Sequence, residues 1–307
     1  MRRLGRTGLD VFPLCLGGNV FGWTADESDS FAVLDAYRAA GGNFVDTANS
    51  YLVEHGRSES IIGAWLADRG CREEFVIATK VGGGHGDTRN LRPETIASEA
   101  RASLGRLGIE RIDLYYAHFD DSDTPLEESL RAFDELVGEG LVANLGASNY
   151  SPARLTAALE LQRELGLAEF TVLQPLYNLV EREFEQTLLP VAERFDLAVL
   201  PYYALASGFL TGKYRPGGEA TGSPRAQAAS EYLERGGGAV LEALDEVAAA
   251  HDAPVAAVAL AWLLARPRVT APIASARSTG QLEEILPAPS LTLTAAEVER
   301  LSGSAGG

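Results

Sequence analysis

The chain has 307 residues, of which 46% are apolar and 22% are charged, and this composition excludes wholesale disorder. A chain of this length can bury a core without disulfides or bound metals. The formal net charge of −17 argues against nucleic-acid and anionic-membrane partners, because both select basic surfaces. We therefore expect a globular protein that binds neither.

The cysteines and the N-terminal residues indicate a cytoplasmic protein. Cys15 and Cys71 are too few for a disulfide framework and lie in apolar stretches, so buried, reduced thiols are expected. An arginine pair near the N terminus resembles the start of a twin-arginine export signal. Arg6 and Asp10, however, interrupt the apolar run that such a signal needs. No run of about 18 apolar residues is present, which predicts no membrane span.

Short apolar runs alternate along the chain with longer segments of helical period. The runs are rich in Val, Ile, Phe and Tyr and predict strands at Phe12–Leu16, Asn43–Thr47, Phe75–Thr79, Ile112–Ala117, Ala143–Ala147, Thr171–Leu173, Leu197–Tyr203 and Val269–Ala274. Apolar residues spaced three or four apart predict amphipathic helices at Asp29–Ala40, Ser58–Arg69, Pro93–Leu107, Leu126–Glu139, Pro152–Leu165 and Phe184–Phe195.

Local signals mark the ends of several of these helices. Ser151 before Pro152 is typical of an N-cap and a first helical position, and Ser58 precedes an apolar run. Glycines follow five helical patterns closely, where a left-handed C-cap is expected. They are Gly41, Gly70, Gly108, Gly140 and Gly166.

Eight strands, most of them followed by a helix, predict a (β/α)8 TIM barrel in a single domain spanning residues 1–307. The strand count alone also permits a doubly wound sheet. Such a sheet typically carries a glycine fingerprint in its first βα turn, and the glycines at 17–22 and 82–86 have the wrong spacing. Met1–Val11 are expected to form a β-hairpin at the barrel bottom. The long loop Thr211–Gly238 follows the seventh strand. A loop of this length is usually a lid or a binding segment, and the alternative is a disordered insertion.

Titratable side chains mark the ends of three consecutive predicted strands. Asp46, Lys80 and His118 occupy these positions. In a parallel barrel the C-terminal strand ends share one rim, the face that carries barrel active sites. These three side chains should therefore converge, and Tyr51 can reach them from the loop after the second strand.

Each of these residues also has a purely structural interpretation. Asp46 and Lys80 can form a rim ion pair, worth under about 1 kcal/mol if exposed. His118 can be a packing residue and Tyr51 an ordinary loop aromatic. Their joint occurrence at consecutive strand ends favours one site.

The four residues form a plausible chemical unit. A tyrosine with a pKa near about 10 is a poor acid at neutral pH, but a nearby lysine ammonium stabilises its phenolate and lowers that pKa. Asp46 would keep Lys80 charged and oriented, and a neutral His118 could orient a carbonyl oxygen. Such a site protonates an oxyanion while another group delivers a nucleophile, for which a hydride is the natural candidate.

The ordered motifs resemble those of the aldo-keto reductases over nearly the whole chain. The strand-two signature is Asp46-Thr47-Ala48 with Tyr51, Gly56-Arg57-Ser58-Glu59 and Ile61-Ile62-Gly63, and the next two strands read Phe75-Val76-Ile77-Ala78-Thr79-Lys80 and Ile112-Asp113-Leu114-Tyr115-Tyr116-Ala117-His118. The resemblance implies a catalytic tetrad of Asp46, Tyr51, Lys80 and His118, with Tyr51 as general acid. It also implies a substrate pocket that includes Trp23, Tyr51, His118 and Phe119.

The resemblance implies an NADP(H) site built from residues at later strand ends. The implied cofactor-binding residues, with Asp46, are Ser148, Asn149, Gln174, Tyr202, Leu205, Ser207, Gly208, Leu210, Lys213, Ser275, Arg277 and Gln281. The amide and hydroxyl groups would hold the nicotinamide carboxamide, and Tyr202 would stack on the ring. Small residues near Lys213 let backbone amides approach a pyrophosphate, and the fork of Arg277 suits a 2′-phosphate, which favours NADP over NAD.

The sequence departs from the family pattern at three places. Ile285 replaces an asparagine near the adenine, Asn144 and Leu145 replace an arginine-isoleucine pair, and Tyr203-Ala204 replaces Ser-Pro. The first change removes one polar contact to the cofactor. The third alters the shape of the pocket without touching the tetrad.

We expect an NADPH-dependent reductase of an aldehyde or ketone, a small-molecule carbonyl substrate, acting as a monomer. The four histidines are far apart, and neither HExxH nor GxSxG occurs, so no metal site or nucleophile elbow is expected. One alternative is an NADPH-binding regulatory subunit with little turnover, which channel-associated members of the family suggest. Another is a barrel isomerase or lyase that works without nicotinamide.

Overall fold

A parallel sheet of eight short strands forms the centre of the protein, in a computed structural model that describes residues 1–51, 54–84, 90–215 and 231–304. Two N-terminal strands precede it and pair antiparallel, β1 (Arg2–Arg3) and β2 (Asp10–Val11). The strands of the central sheet are β3 (Cys15–Gly17), β4 (Phe44–Asp46), β5 (Val76–Val81), β6 (Leu114–Ala117), β7 (Leu145–Ser148), β8 (Phe170–Gln174), β9 (Ala198–Val199) and β10 (Ile273–Ala274).

The central sheet closes on itself into a barrel. Its strand order is β10-β3-β4-β5-β6-β7-β8-β9, with every neighbouring pair parallel. Between β9 and β10, the Thr270 N–H donates to the Val199 carbonyl over 3.0 Å and the Ile273 N–H donates to the Pro201 carbonyl over 2.9 Å. These bonds join the two outer strands and confirm the predicted (β/α)8 barrel.

Eleven α-helices lie in the described part of the chain. They are α1 (Glu27–Ala39), α2 (Arg57–Arg69), α3 (Pro93–Leu107), α4 (Leu126–Gly138), α5 (Pro152–Leu165), α6 (Phe184–Thr187), α7 (Leu189–Phe195), α8 (Gly238–His251), α9 (Val255–Leu264), α10 (Thr279–Ile285) and α11 (Ala295–Ser304). The predicted caps of α5 are confirmed, because Ser151 accepts from the Arg154 N–H and Gly166 is left-handed at φ 66°. The sequence analysis did not identify α8–α11.

The N-terminal hairpin covers the bottom of the barrel, as predicted. Leu4 and Val11 are 0% exposed and pack with Phe44, Leu114 and other inward-facing strand residues in one cluster. A second, larger cluster fills the space between the sheet and the helices. The two cysteines are buried and free, as expected.

The predicted helix Phe184–Phe195 is wrong as a single element, because the chain forms α6 and α7 instead. Pro190 lies in the first turn of α7 and has no N–H with which to continue a helix from α6. Ser58 was expected to cap α2, but it lies inside that helix and its hydroxyl donates to the Gly18 carbonyl over 2.7 Å.

The last two predicted strands are shorter than the apolar runs indicated. Pro201 and Pro272 lie in these runs and cannot donate ladder hydrogen bonds, so regular pairing is limited to the two residues of β9 and the two of β10. The predicted loop Thr211–Gly238 lies largely outside the described residues, which omit 216–230. No single helix of the described chain has the length and hydropathy of a membrane span, and α8 with α9 passes that test only as a pair bent by 95°.

Candidate active site

Strand register brings the predicted residues of β4, β5 and β6 to one rim of the barrel. Asp46 is the last residue of β4 and pairs with Ala78, and Lys80 pairs with Tyr116 near the end of β6. Side chains alternate along a strand, so Lys80 continues the inward face that Ala78 presents to the barrel interior. His118 is the first residue after β6.

The Lys80 ammonium is the centre of a hydrogen-bonded group of three side chains. Its Nζ donates to Asp46 Oδ2 over 2.5 Å, to the Tyr51 hydroxyl over 2.8 Å and to the Thr47 carbonyl over 2.7 Å. Tyr51 in turn donates its O–H to Asp46 Oδ2 over 3.2 Å. Because Lys80 is 0% exposed, this is a desolvated contact rather than a surface ion pair.

Burial and charge keep the Tyr51 proton in place. Burial raises the pKa of the Tyr51 phenol well above its ordinary value, and the charge of Asp46 and the hydrogen bond to it act in the same direction. The lowered pKa expected from the nearby lysine is therefore wrong. Burial also lowers the pKa of the Lys80 ammonium, while Asp46 opposes that shift by charge and by hydrogen bonding. The arrangement therefore holds a protonated phenol beside a cation.

His118 lies beside this group, with its ring close to Tyr51 and Ser50. The centroids of the Tyr51 and His118 rings are 6.1 Å apart and the rings are nearly perpendicular. Ser50 Oγ is 3.5 Å from His118 Nδ1. A Cβ at Gly83 would lie 2.1 Å from that nitrogen, so glycine is needed for the ring to occupy this position. The structure thus brings the whole predicted tetrad together.

The predicted amide-binding residues form a hydrogen-bonded group next to Asp46. Gln174 Nε2 donates to Asp46 Oδ1 over 2.9 Å, and Ser148 Oγ donates to the Gln174 carbonyl over 2.8 Å. Asn149 is left-handed at φ 55°, and its Nδ2 donates to the His118 carbonyl over 2.8 Å. Tyr202 donates its hydroxyl to Asn149 Oδ1 over 2.8 Å. Polar groups from β7, β8 and the segment after β9 therefore meet at the tetrad.

The segment after β9 contains several residues in strained, left-handed conformations. Tyr203, Ala206 and Ser207 have positive φ without being glycine, and Gly208 follows at φ 91°. A Cβ at Gly208 would lie 3.2 Å from Lys213 Nζ, so the glycine leaves room in front of that ammonium. The N–H groups of Ala206 and Gly208 donate to the Tyr203 and Leu205 carbonyls, and Ser207, Gly208 and Lys213 all line the cleft.

A cleft of about 620 Å³ connects these groups. Most predicted site residues line it: Trp23, Asp46, Tyr51, His118, Phe119, Ser148, Asn149, Gln174, Tyr202, Leu205, Ser207, Gly208, Lys213, Ser275, Arg277 and Gln281. Lys80 lies beneath the floor of the cleft and reaches it through Tyr51 and Asp46. Leu210 does not line the cleft, because its side chain is 0% exposed in the core and its N–H donates to the Leu205 carbonyl.

Other lining residues were not identified from the sequence. Asn19 accepts a 2.5 Å hydrogen bond from Ser275 Oγ and is the second residue after β3, so the strand-end rule applied to the first strand would have found it. Glu284 lines the cleft one turn beyond Gln281 on α10. The lysine content was a further signal for the site. The chain contains only two lysines among its 26 basic residues, and both of them, Lys80 and Lys213, lie at the candidate site.

The departures from the family pattern fall at different places in the structure. Ile285 and Tyr203 line the cleft, and Tyr203 is 54% exposed. Asn144 lies below the rim and donates to the Asp113 carbonyl over 3.1 Å, and Leu145 is buried at the start of β7. Among the described residues, no group of three or more His, Cys, Asp and Glu side chains could hold a metal ion.

Comparison with known proteins identifies the family. The sequence profile described as "Aldo/keto reductase family" matches residues 13–305. The chain is 37% identical to the uncharacterized oxidoreductase YrpG of Bacillus subtilis (strain 168), over 94% of this chain and 91% of that protein. It is 36% identical to the norsolorinic acid reductase stcV of Emericella nidulans, over 90% and 73% of the two chains. It is also 33% identical to a probable voltage-gated potassium channel subunit beta of Oryza sativa subsp. japonica, over 92% and 89%. The chain, an eight-stranded barrel with oxidoreductase relatives, belongs to the aldo/keto reductase family.

Proposed function

We propose that this oxidoreductase uses NADPH to reduce an aldehyde or ketone to an alcohol, with Tyr51 as general acid. The observation that carries the proposal is the contact of a buried Lys80 ammonium with the Tyr51 hydroxyl at the floor of a cleft. When bound, the reduced nicotinamide supplies the hydride. The protein supplies the proton, the charge stabilisation and the orientation of the carbonyl group.

The geometry supports a short proton path. The Tyr51 hydroxyl transfers its proton to the carbonyl oxygen as negative charge develops there. The resulting phenolate accepts a hydrogen bond from Lys80 Nζ, which lies 2.8 Å from the phenol oxygen. Asp46 keeps Lys80 charged through its 2.5 Å contact, since a buried ammonium without a counterion would lose its proton. The His118 ring, beside Tyr51, orients the carbonyl oxygen toward the phenol. Preorganised groups of this kind are worth several kcal/mol of barrier reduction.

The residues of the cleft fit nicotinamide adenine dinucleotide phosphate. Gln174, Ser148 and Asn149 offer amide and hydroxyl groups next to the tetrad, as a carboxamide requires. Lys213 and Arg277 line the cleft on the segments after β9 and β10, on the side of the barrel opposite β5 and β6. Neither cation is ion-paired to a carboxylate of the described residues. An arginine fork on that side favours the extra phosphate of NADP.

The substrate end of the cleft is apolar and supports a neutral carbonyl compound. Trp23, Phe119, Val20 and Tyr203 line the cleft, and Trp23 remains 49% exposed. The one cation near Tyr51 is Lys80, which is buried and already paired with Asp46. The cations among the described lining residues, Lys213 and Arg277, lie on the cofactor side, so a substrate carboxylate or phosphate would find no unpaired counterion near Tyr51. The relatives named as norsolorinic acid reductase and aryl-alcohol dehydrogenase agree with an aromatic ketone or aldehyde.

A carbonyl panel followed by loss of absorbance at 340 nm tests this function, with NADPH and NADH run in parallel. Turnover of neutral aromatic aldehydes or ketones, with NADPH preferred, is the expected result. Turnover confined to carboxylated or phosphorylated carbonyl compounds would contradict the substrate assignment. Absence of NADPH binding in a fluorescence titration would contradict the cofactor assignment.

A regulatory subunit is the second candidate, because one relative is named as a channel subunit beta. Such a protein would bind NADPH tightly and turn over poorly on the same panel, and it would form a stoichiometric complex with a partner. Single-turnover measurements distinguish the two functions, since an enzyme oxidises its bound NADPH fully within seconds when aldehyde is added.

We also propose that residues 1–307 act as one domain. The hairpin contributes Leu4 and Val11 to the barrel interior, and α11 is fixed to α8 by the 2.9 Å contact of Glu297 with His251. Removal of either terminal segment is therefore expected to expose the core rather than release a separate unit.

A further inference from the structure

Three consecutive residues of the loop between β4 and α2, Asn49 to Tyr51, contact different parts of the structure. Tyr51 contacts Lys80 and Asp46, Ser50 contacts the His118 ring, and Asn49 points away from the cleft. Asn49 is 2% exposed, and its backbone carbonyl accepts from the Gly56 N–H over 2.7 Å, which brings the two ends of the loop together. The loop is therefore held from the side opposite the cleft.

A single carboxylate holds this loop on both sides of Tyr51. Glu99 lies in the middle of α3, and its Oε2 accepts from Asn49 Nδ2 over 2.8 Å and from His55 Nε2 over 3.0 Å. Asn49 lies two residues before Tyr51 and His55 four residues after it. Glu99 does not line the cleft, and its contacts are with Asn49, His55 and Arg106 rather than with the tetrad.

Glu99 is ionised and partly shielded from water. Its side chain is 18% exposed, and Arg106 Nη2 lies 3.7 Å from Glu99 Oε2. Burial acts to raise the pKa of the Glu99 carboxyl, but the hydrogen bonds from Asn49 and His55 and the nearby positive charge outweigh it, so the pKa lies below its ordinary value. A charged acceptor in a partly desolvated position makes stronger hydrogen bonds than a neutral one.

The neighbouring contacts make this support rigid. Arg106 also donates Nε to Glu59 Oε2 over 2.6 Å, and Glu59, which is 0% exposed, accepts from Thr79 Oγ1 over 2.5 Å. Thr79 directly precedes Lys80 on β5. A Cβ at Gly56 would lie 2.2 Å from Arg106 Cδ, so the loop end packs against the arginine with no space between them. Helix α3 thus supports both the loop of Tyr51 and the strand of Lys80.

We propose that Glu99 is a positioning residue, which clamps the 49–55 loop through Asn49 and His55 and so fixes Tyr51 against Lys80 and Ser50 against His118. The inference rests on the proposed function, because it assigns the loop to proton transfer. Small displacements of reacting groups are costly, and a shift of about 1 Å can lower a rate by about 10²-fold.

Glu99→Leu and Glu99→Gln test the clamp together. Leucine has a side chain of similar volume to that of glutamate but no acceptor oxygen, whereas glutamine keeps one neutral acceptor oxygen. We expect kcat to fall by about 10–100-fold in Glu99→Leu and by less in Glu99→Gln, with the NADPH dissociation constant unchanged within about twofold. Glu139→Leu is the matched control. It removes a carboxylate that follows α4 and pairs with Arg101, an exposed residue on the same helix as Glu99, and it should leave kcat unchanged.

A Tyr51→Phe background shows whether Glu99 acts through Tyr51. If it does, adding Glu99→Leu to Tyr51→Phe changes the residual rate by less than about twofold, because the two losses are not additive. An equal fold-loss in both backgrounds, or an unchanged kcat in folded Glu99→Leu, overturns the proposal. If Glu99→Leu does not fold, His55→Leu takes its place, because His55 is 41% exposed and its loss leaves Asn49 bound to Glu99.

Hydrogen exchange separates failure of the clamp from failure of the proposed function. In Glu99→Leu, but not in Glu139→Leu, peptides covering residues 47–57 should exchange at least about tenfold faster, while those of β7 and β8 keep their wild-type rates. An inactive wild-type protein would refute the reductase function and leave this measurement to decide the clamp. Unchanged exchange in the loop refutes the clamp whether or not the protein is active.

Discussion

Lys80 Nζ lies 2.8 Å from the Tyr51 hydroxyl oxygen, and the lysine side chain is fully buried beneath the cleft. A cation held this close to a phenol, in a site that excludes water, stabilises the phenolate that remains after proton transfer. The first prediction concerns that proton. Tyr51→Phe removes it with little change of shape, and kcat is expected to fall by about 10²–10⁴-fold.

The cofactor should still bind to Tyr51→Phe. Quenching of intrinsic fluorescence by NADPH measures this, and the dissociation constant should match that of the wild type. Tyr115→Phe is a suitable control, because Tyr115 is a fully buried tyrosine that packs against Phe133 and does not line the cleft. Wild-type turnover in Tyr51→Phe would show that another group is the acid.

The second prediction concerns the stability of the buried ion pair. Lys80→Met leaves the Asp46 carboxylate buried without its counterion, and the free energy of unfolding should fall by about 3–5 kcal/mol. Adding Asp46→Asn removes the unpaired charge and should recover most of that loss without recovering activity. Denaturant titrations and kcat measured on the same preparations check both statements. Equal stability of the single and double variants would contradict this account.

The third prediction concerns the pH profile. The pKa of Tyr51 is raised above its ordinary value, and a general acid works only while it is protonated. The rate of carbonyl reduction should therefore not decline because of Tyr51 between about pH 7 and pH 10, and its falling limb should lie above the ordinary tyrosine pKa of about 10. A profile of kcat/KM for the carbonyl substrate at saturating NADPH measures this limb. A falling limb near neutral pH that persists in His118→Gln would mean that the acid has a low pKa.

The fourth prediction uses the lysine content of the chain. Lys80 is fully buried and Lys213 is exposed at the cleft, so Lys213 is the one accessible ε-amine. An amine-reactive acetylating ester should modify Lys213 and the N-terminal amine and leave Lys80 unmodified in the folded protein. NADPH should protect Lys213 but not the N terminus, as measured by peptide mass spectrometry. Equal modification of Lys213 with and without NADPH would remove it from the proposed pyrophosphate site.

The sequence was sufficient to locate the tetrad, because a parallel barrel places consecutive strand ends on one rim. Asp46, Lys80 and His118 were predicted to meet on that basis, and the register of β4, β5 and β6 brings them together. The N-terminal hairpin could be predicted for a related reason, since a segment directly ahead of the first strand lies next to the barrel bottom.

Contacts between residues distant in the chain could not be predicted in this way. In the sequence, Glu99 is indistinguishable from the other charged residues on the polar face of an amphipathic helix. Its hydrogen bonds with Asn49 and His55 depend on the packing of α3 against the loop that carries these two residues. Leu210 shows a related point, since its motif position gave no sign that its side chain would be buried in the core rather than line the cleft. Neither outcome has a signature in local spacing or composition.

The last prediction concerns the choice between NADPH and NADH. Arg277 lines the cleft after β10, and its backbone N–H donates to Gln281 Oε1 over 3.1 Å, a bond that does not involve the guanidinium. A charge-assisted bond to the 2′-phosphate is worth about 1.5–3 kcal/mol, so Arg277→Gln should weaken NADPH binding by about 10–100-fold and leave NADH binding nearly unchanged. Fluorescence titrations with both cofactors measure the two constants. Arg300→Gln, which breaks an exposed pair with Glu246, is the control. An equal loss for both cofactors would place Arg277 on a part of the dinucleotide that NADH shares, such as the pyrophosphate or the adenine, rather than on the 2′-phosphate.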